Sequence, residues 1–143
     1  MVTDTRLDRI DLLHEDLTEQ IIGGFYRVFD ALGHGFVESI YEEAMVIDLR
    51  SVGLQVDRQV PITVVFRGHT IGTFKADMIV ESRVVVELKA ARAIDPAHEA
   101  QLINHLRATN IEVGLLLNFG GRPRFKRFVF ANERKAPAGS PLY

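Results

Sequence analysis

Asp77, Glu87 and Lys89 are charges set inside runs of Met, Ile, Val and Leu, in the stretch ADMIVESRVVVELKA from Ala76 to Ala90. An unpaired charge is costly to bury, so each needs a partner. Alternation along a strand limits the choice. In the first run Phe74, Ala76, Met78 and Val80 share one face, and Lys75, Asp77, Ile79 and Glu81 the other. In the second, Val84, Val86, Leu88 and Ala90 oppose Val85, Glu87 and Lys89. Pairing Val80 with Val84 and Met78 with Val86 keeps one face apolar, whereas a one-residue slip mixes the faces. That register needs a three-residue turn, Glu81-Ser82-Arg83, and sets Asp77 opposite Glu87 and Lys75 opposite Lys89. A bulge in either strand would change it.

Two carboxylates across a ladder repel, and such a pair raises one pKa or recruits a cation. Hard divalent cations such as Mg2+ and Mn2+ take carboxylate, carbonyl and water oxygens. Asp77, Glu87 and the Leu88 carbonyl therefore compose a candidate metal site. Lys89, on the same face, could orient a water or stabilise an anionic transition state. The same charges also fit a surface cluster in which Lys75 and Lys89 neutralise the two carboxylates. Spacing alone leaves both readings open.

The elements that must carry these residues follow from periodicity. Leu13, Leu17, Ile21, Phe25, Val28, Phe29 and Leu32 recur at helical spacing over about 12–32, up to the Gly33-His34-Gly35 break. A second helix is expected over about 37–52, with Val37, Ile40, Tyr41, Ala44 and Ile47 on its apolar side. The stretch LQVDRQVPITVVF reads as a strand in which Pro61 marks an edge or a bulge. Arg67 to His69 makes a turn, and the two strands of the central hairpin follow. Asp95-Pro96 caps a helix running to about Thr109. VGLLLNF has the continuous apolar character of a strand buried on both faces, and FKRFVF makes a last short strand.

The order α-α-β-β-β-α-β-β contains one strand–helix–strand crossover, whose two strands should run parallel. The fold class expected is α/β, a mixed sheet flanked by helices in an α+β sandwich-like arrangement. The 143 residues make one domain, with a loose tail from Ala131 to Tyr143.

Composition narrows the function classes. With no cysteine there is neither a disulfide framework nor a thiolate zinc site, which fits a reducing cytoplasm. No apolar run is long enough to cross a bilayer, and the acidic start MVTDTRLDRIDLLHED is not a signal peptide. The net charge of −2 conceals an asymmetry: residues 1–50 carry 4 Lys/Arg against 11 Asp/Glu, and residues 51–143 carry 13 against 8. A basic half facing a polyanion and plain scatter both account for it. The cluster Arg122, Arg124, Lys126 and Arg127, with Phe125 inside it, could hold a phosphate backbone or simply protect an exposed edge. On the crossover helix His98, Gln101 and His105 form a polar stripe, which without HExxH spacing reads as solvated or supporting.

An Asp, a short hairpin and then ELK resembles the signature of the PD-(D/E)XK nuclease superfamily, with Lys75-Ala76-Asp77 where that signature has Pro-Asp. GFVESIY, with Gly35, Glu38 and Tyr41, matches the motif that names the GxxExxY protein family, a bacterial and archaeal branch of the superfamily. ADMIVESRVVVELKA, HEAQLINHL and GLLLNFG resemble its later blocks in the same order, so the likeness covers roughly residues 15–130.

The resemblance implies a restriction-endonuclease-like fold and an Mg2+- or Mn2+-dependent nuclease acting on DNA or RNA. Asp77 and Glu87 would be metal ligands, Lys89 the catalytic lysine and Glu38 an accessory carboxylate. Gln101 matches the glutamine of a Q-x-x-x-Y motif whose Tyr position is His105 here, and His can also donate to a phosphate. Residue periodicity alone reads Tyr41 as a core residue and Glu38 as an exposed one. Two other functions fit the chain: a catalytically inactive nuclease-fold module for nucleic-acid or protein binding, and a homo-oligomer built through the first helix. A fold by itself does not choose among them.

Overall fold

The computed structural model describes residues 13–135. The start expected for the first helix at Leu12, the acidic N-terminal stretch up to it, and tail positions 136–143 lie outside the described residues. The elements are α1 (Glu15–Leu32), α2 (Glu38–Ser51), β1 (Val56–Phe66), β2 (His69–Val80), β3 (Val84–Lys89), α3 (Pro96–Arg107), β4 (Val113–Asn118) and β5 (Arg124–Val129), then a 3-10 turn at Asn132–Arg134. The strands form one sheet in the order β1-β2-β3-β4-β5. Only β3 and β4 are parallel, joined through α3. This is the mixed sheet and element order that periodicity implied.

β3 and β4 are the most apolar strands and lie in the middle. Val84, Val85, Val86, Leu88, Val113, Leu115, Leu116 and Leu117 are fully buried because helices cover both faces. On one side Leu17, Ile21, Phe25 and Val28 of α1, with Tyr41, Met45 and Leu49 of α2, pack on Met78, Val86, Leu88, Leu115 and Leu117. On the other, Leu102 and Leu106 of α3 pack on Ile79, Val85 and Leu116.

α3 starts where its sequence dictates. The Asp95 side chain accepts from the Ala97 and His98 amides, and His98 accepts from the Asp95 amide, closing a capping box around Pro96. Such a cap stabilises a helix by about 1 kcal/mol.

Two expectations change. On α2 the buried stripe is Tyr41, Met45 and Leu49, while Val37, Ile40 and Ile47 are exposed. Apolar residues sit on both sides of this helix, and Tyr41 decides which side turns inward by stacking on Phe119 with ring centroids 4.2 Å apart. The segment after Ala131 is not loose at its start. Lys135 Nζ donates to the Thr109 and Ile111 carbonyls, each at 2.8 Å, and closes the 3-10 turn onto the end of α3.

The apolar stripe of α1 faces the core, so Tyr26 is its only exposed large apolar side chain among the described residues. No helix among them is long and apolar enough to cross a membrane.

Candidate functional site

The candidate site lies at a fork in the sheet. β2 pairs with β3 through Val80–Val84, Ile79–Val85 and Met78–Val86, the register inferred from alternation, and the turn at Glu81 and Ser82 has positive φ at both residues. Beyond Met78 the two strands separate, while β2 stays on β1 as far as His69. At the separation the Asp77 carboxylate replaces the backbone partner that β3 has lost: its Oδ2 accepts from the Leu88 amide at 2.8 Å.

Gln59, level with Asp77 on β1, has a left-handed backbone with φ 47°. Side-chain alternation breaks there. Val56, Met78 and Val80 join the core under α1 and α2, whereas Val60, Ile62 and Ala76 join the core under α3. Phe74 and Ala76 therefore do not share a face with Met78 and Val80, and the cause is the kind of strand irregularity that shifts a face by one residue. Lys75 is paired with Pro61 on β1 and exposed, not opposite Lys89. Among the described residues neither lysine forms an ion pair with Asp77 or Glu87, so the neutralising lysine cluster does not form.

Asp77 opens onto a cleft of about 220 Å³ lined by Glu38, Ser39, Glu42, Gln59 and Leu88. Glu38 stands in the first turn of α2, with Glu42 one turn on along the same side. Glu42 is buried and accepts from Arg58 at 3.0 Å and from the Gln59 side-chain amide. That second contact holds the left-handed residue in place. Tyr41 points the other way: its hydroxyl donates to the Gly33 carbonyl at 2.6 Å and accepts from the Phe36 amide at 3.2 Å. With Gly35 at φ 110°, these bonds shape the turn that delivers Glu38 to the cleft. Tyr41 is thus a core residue and Glu38 a cleft residue.

Glu87 is almost wholly buried, at 1% exposure, and so is His105. His105 Nδ1 abuts Glu87 Oε1, and the Phe74 ring lies 4.9 Å from the imidazole. Burial pushes the Glu87 carboxyl up to about 7; contact with His105 works against that rise, and the charge and hydrogen bonding of nearby Asp77 add to it. His105 is therefore neither solvated nor open to a phosphate. It sits under the β1–β2 arm because the face of β3 that carries Glu87 is the one α3 covers. Lys89, one alternation further along that face, donates to Gln101 Oε1 at 3.2 Å, so α3 also fixes the lysine.

No group of three or more His, Cys, Asp or Glu side chains is gathered for a metal among the described residues. Mg2+ does not require one, since it binds through one or two carboxylates completed by waters and substrate phosphates. Asp77 and the adjacent, uphill-shifted Glu87 form an all-oxygen pair in which a cation would relieve the penalty on the second charge. With the Leu88 carbonyl, the donor set suits a hard divalent ion.

The basic cluster divides. Arg127 donates to the Leu13 carbonyl at the start of α1, and Lys126 pairs with Glu99 of α3 at 3.0 Å. Arg122 and Arg124 are exposed and make no ion pair among the described residues. Asn118 went unnoticed in the sequence. It is fully buried, bonds both the amide and the carbonyl of Ala91 at 3.0 and 2.9 Å, and accepts from the Gly120 amide. A polar residue ending the apolar run VGLLLN was the available signal. Glu42 and Gln59 gave no signal of that kind.

The family model of the PD-(D/E)XK nuclease superfamily matches residues 15–128. No curated protein matches the chain. A solved structure described as the crystal structure of SSO0001 is similar over 86% of this chain, with TM-score 0.53 and 18% identity. The chain spans 63% of that protein's length, and at this identity the likeness concerns the fold.

Proposed function

The chain belongs to the PD-(D/E)XK nuclease superfamily, and on that premise we propose that it is a metal-dependent nuclease of the GxxExxY type, hydrolysing phosphodiester bonds in DNA or RNA. The observation that carries this reading is the fork. Asp77 is fixed by the Leu88 amide, Glu87 is buried beside it with a raised pKa, and Lys89 is held on the same face by Gln101. Perturbed carboxyls beside an open cleft are where chemistry is expected.

Asp77, Glu87 and the Leu88 carbonyl would hold Mg2+ or Mn2+, which when bound supplies Lewis-acid activation of water and neutralises phosphate charge. Lys89 offsets the negative charge that grows on the phosphoryl oxygens as water adds to phosphorus and the leaving oxygen departs. Gln101 positions the lysine. Glu38, which lines the cleft, would accept a proton from the attacking water directly or through a second water. The exposed Arg122 and Arg124 would hold the phosphate backbone.

A second reading, a nuclease-fold binding module without catalysis, draws on one observation: His105 occupies an oxygen of Glu87. Labelled single-stranded, duplex and branched DNA and RNA, each with Mg2+, Mn2+ or EDTA, separate the two. Asp77→Asn and Lys89→Ala are prepared alongside, and divalent binding is followed by calorimetry. Metal-dependent cutting lost in both variants supports the nuclease. Absence of cutting together with absence of metal binding overturns it in favour of the module.

A further inference from the structure

A second cleft, of about 450 Å³, lies outside the carboxylate site, lined by Tyr26, Ala93, Ile94, Arg124, Phe125 and Lys126. Two of its walls are aromatic. Tyr26 and Phe125 are each 39% exposed and meet edge to face with centroids 6.4 Å apart. A third wall is the segment after β3. That segment is held in place because Asn118 clamps Ala91 at both backbone groups. Gly120 packs so close that a Cβ there would lie 1.9 Å from the Ala91 carbonyl oxygen. The lining holds two cations and no acidic residue. Arg124 makes no ion pair among the described residues, while Lys126 is shared with Glu99.

The sheet relates this cleft to the candidate catalytic lysine. Lys89 pairs with Asn118 across the parallel ladder, and Asn118 pairs with Arg124 across the next. Paired residues point to one face, so Lys89 and Arg124 share a face on either side of the buried Asn118, two strand spacings or about 10 Å apart. A strand held at Lys89 by one phosphate would run a neighbouring phosphate toward Arg124 and its base toward Tyr26 and Phe125.

We propose that this cleft binds an unpaired nucleotide of the strand being cut, the base against Tyr26 and Phe125 and the phosphate against Arg124. A base inside a duplex has both faces stacked and cannot enter such a slot, so the preferred substrate carries a single-stranded segment. An acidic or apolar peptide would use the cations or the rings; the nucleotide uses both, and continuity with Lys89 favours it. The inference builds on the nuclease reading and names its substrate class.

The test is equilibrium binding in EDTA, where nothing is cut. Fluorescence anisotropy of a labelled oligothymidylate, and of its duplex with oligoadenylate, is followed for the wild type, Tyr26→Ala, Tyr26→Phe, Phe125→Ala and Arg124→Ala. The wild type is expected to prefer the single strand. Each aromatic-to-Ala change should weaken that binding about tenfold or more, as loss of one stacked base does, with duplex binding little changed. Tyr26→Phe should retain the preference, and thermal melts should show all variants folded. Equal binding of both forms that no variant alters, or no binding of either, overturns the proposal. So does a variant effect on sedimentation without one on binding, which would mark the cleft as a self-association surface. Single-strand binding through the cleft with no cutting in Mg2+ or Mn2+ would sustain the cleft while removing the nuclease reading; cutting by variants with unaltered strand preference would do the reverse.

Discussion

Replacing Glu87 with Gln should make the protein more stable, by a margin that grows as pH rises from about 4.5 to about 7 and is largest above it. The carboxyl titrates at about 7 in the fold against 4.5 when free. Because its folded pKa is raised, the folded state binds the extra proton between those limits. The stability this contributes is complete below pH 4.5 and is lost as pH rises through about 7. At 1.36 kcal/mol per unit the whole loss is about 3 kcal/mol, or about 10 °C in melting temperature for a domain of this size.

Gln copies the protonated side chain and cannot ionise. Urea unfolding of wild type and Glu87→Gln in EDTA should therefore coincide near pH 4.5, diverge as pH rises to about 7 and stay apart by a constant margin at pH 8, with the variant the more stable. Mn2+ added at pH 8 should raise the wild type, and the variant far less, since only the former gains a charged ligand. Parallel stability curves across the range, or a variant weaker at every pH, would show that Glu87 is not held uphill by its surroundings.

Two further outcomes follow from the supports of the site. Tyr41→Phe removes the hydroxyl that bonds Gly33 and Phe36, and should cost about 1–2 kcal/mol in urea unfolding while lowering amide protection at Phe36. Gly120→Ala drives a methyl into the Ala91 carbonyl and should cost about 3 kcal/mol or more, read as a fall in melting temperature; an unchanged melt would mean the 91–94 segment yields freely.

Much of this architecture was legible because it rests on local rules. Apolar alternation fixed the Met78–Val86 register, Asp95-Pro96 announced α3, and the unbroken run at Val113–Asn118 announced a central strand. What was not legible depends on docking. Gln59 adopts a left-handed backbone without being Gly, Asn or Asp, so nothing marked the place where Phe74 and Ala76 change face. His105 in a polar helical stripe reads as solvated until α3 is laid on β3 and its imidazole meets Glu87. On α2 the two candidate faces are similar in hydropathy, and the Tyr41–Phe119 stack that chooses between them is a contact remote in sequence. Arg127 belongs in sequence to a basic cluster that fits either a phosphate backbone or an exposed edge, but alternation along β5 turns it toward α1 and the Leu13 carbonyl.

The bond from the Leu88 amide to Asp77 has an evolutionary consequence. That amide belongs to a buried strand and would have no acceptor if the side chain at 77 were removed, a loss of about 1–3 kcal/mol unrelated to catalysis. Selection for folding alone would therefore retain an oxygen at position 77, as Asp or Asn, in a descendant that had stopped cutting. Lys89, exposed enough to vary and bonded only to Gln101 among the described residues, is under no such obligation. In a lineage of this protein, the lysine would be the first to record the loss of chemistry and the aspartate the last.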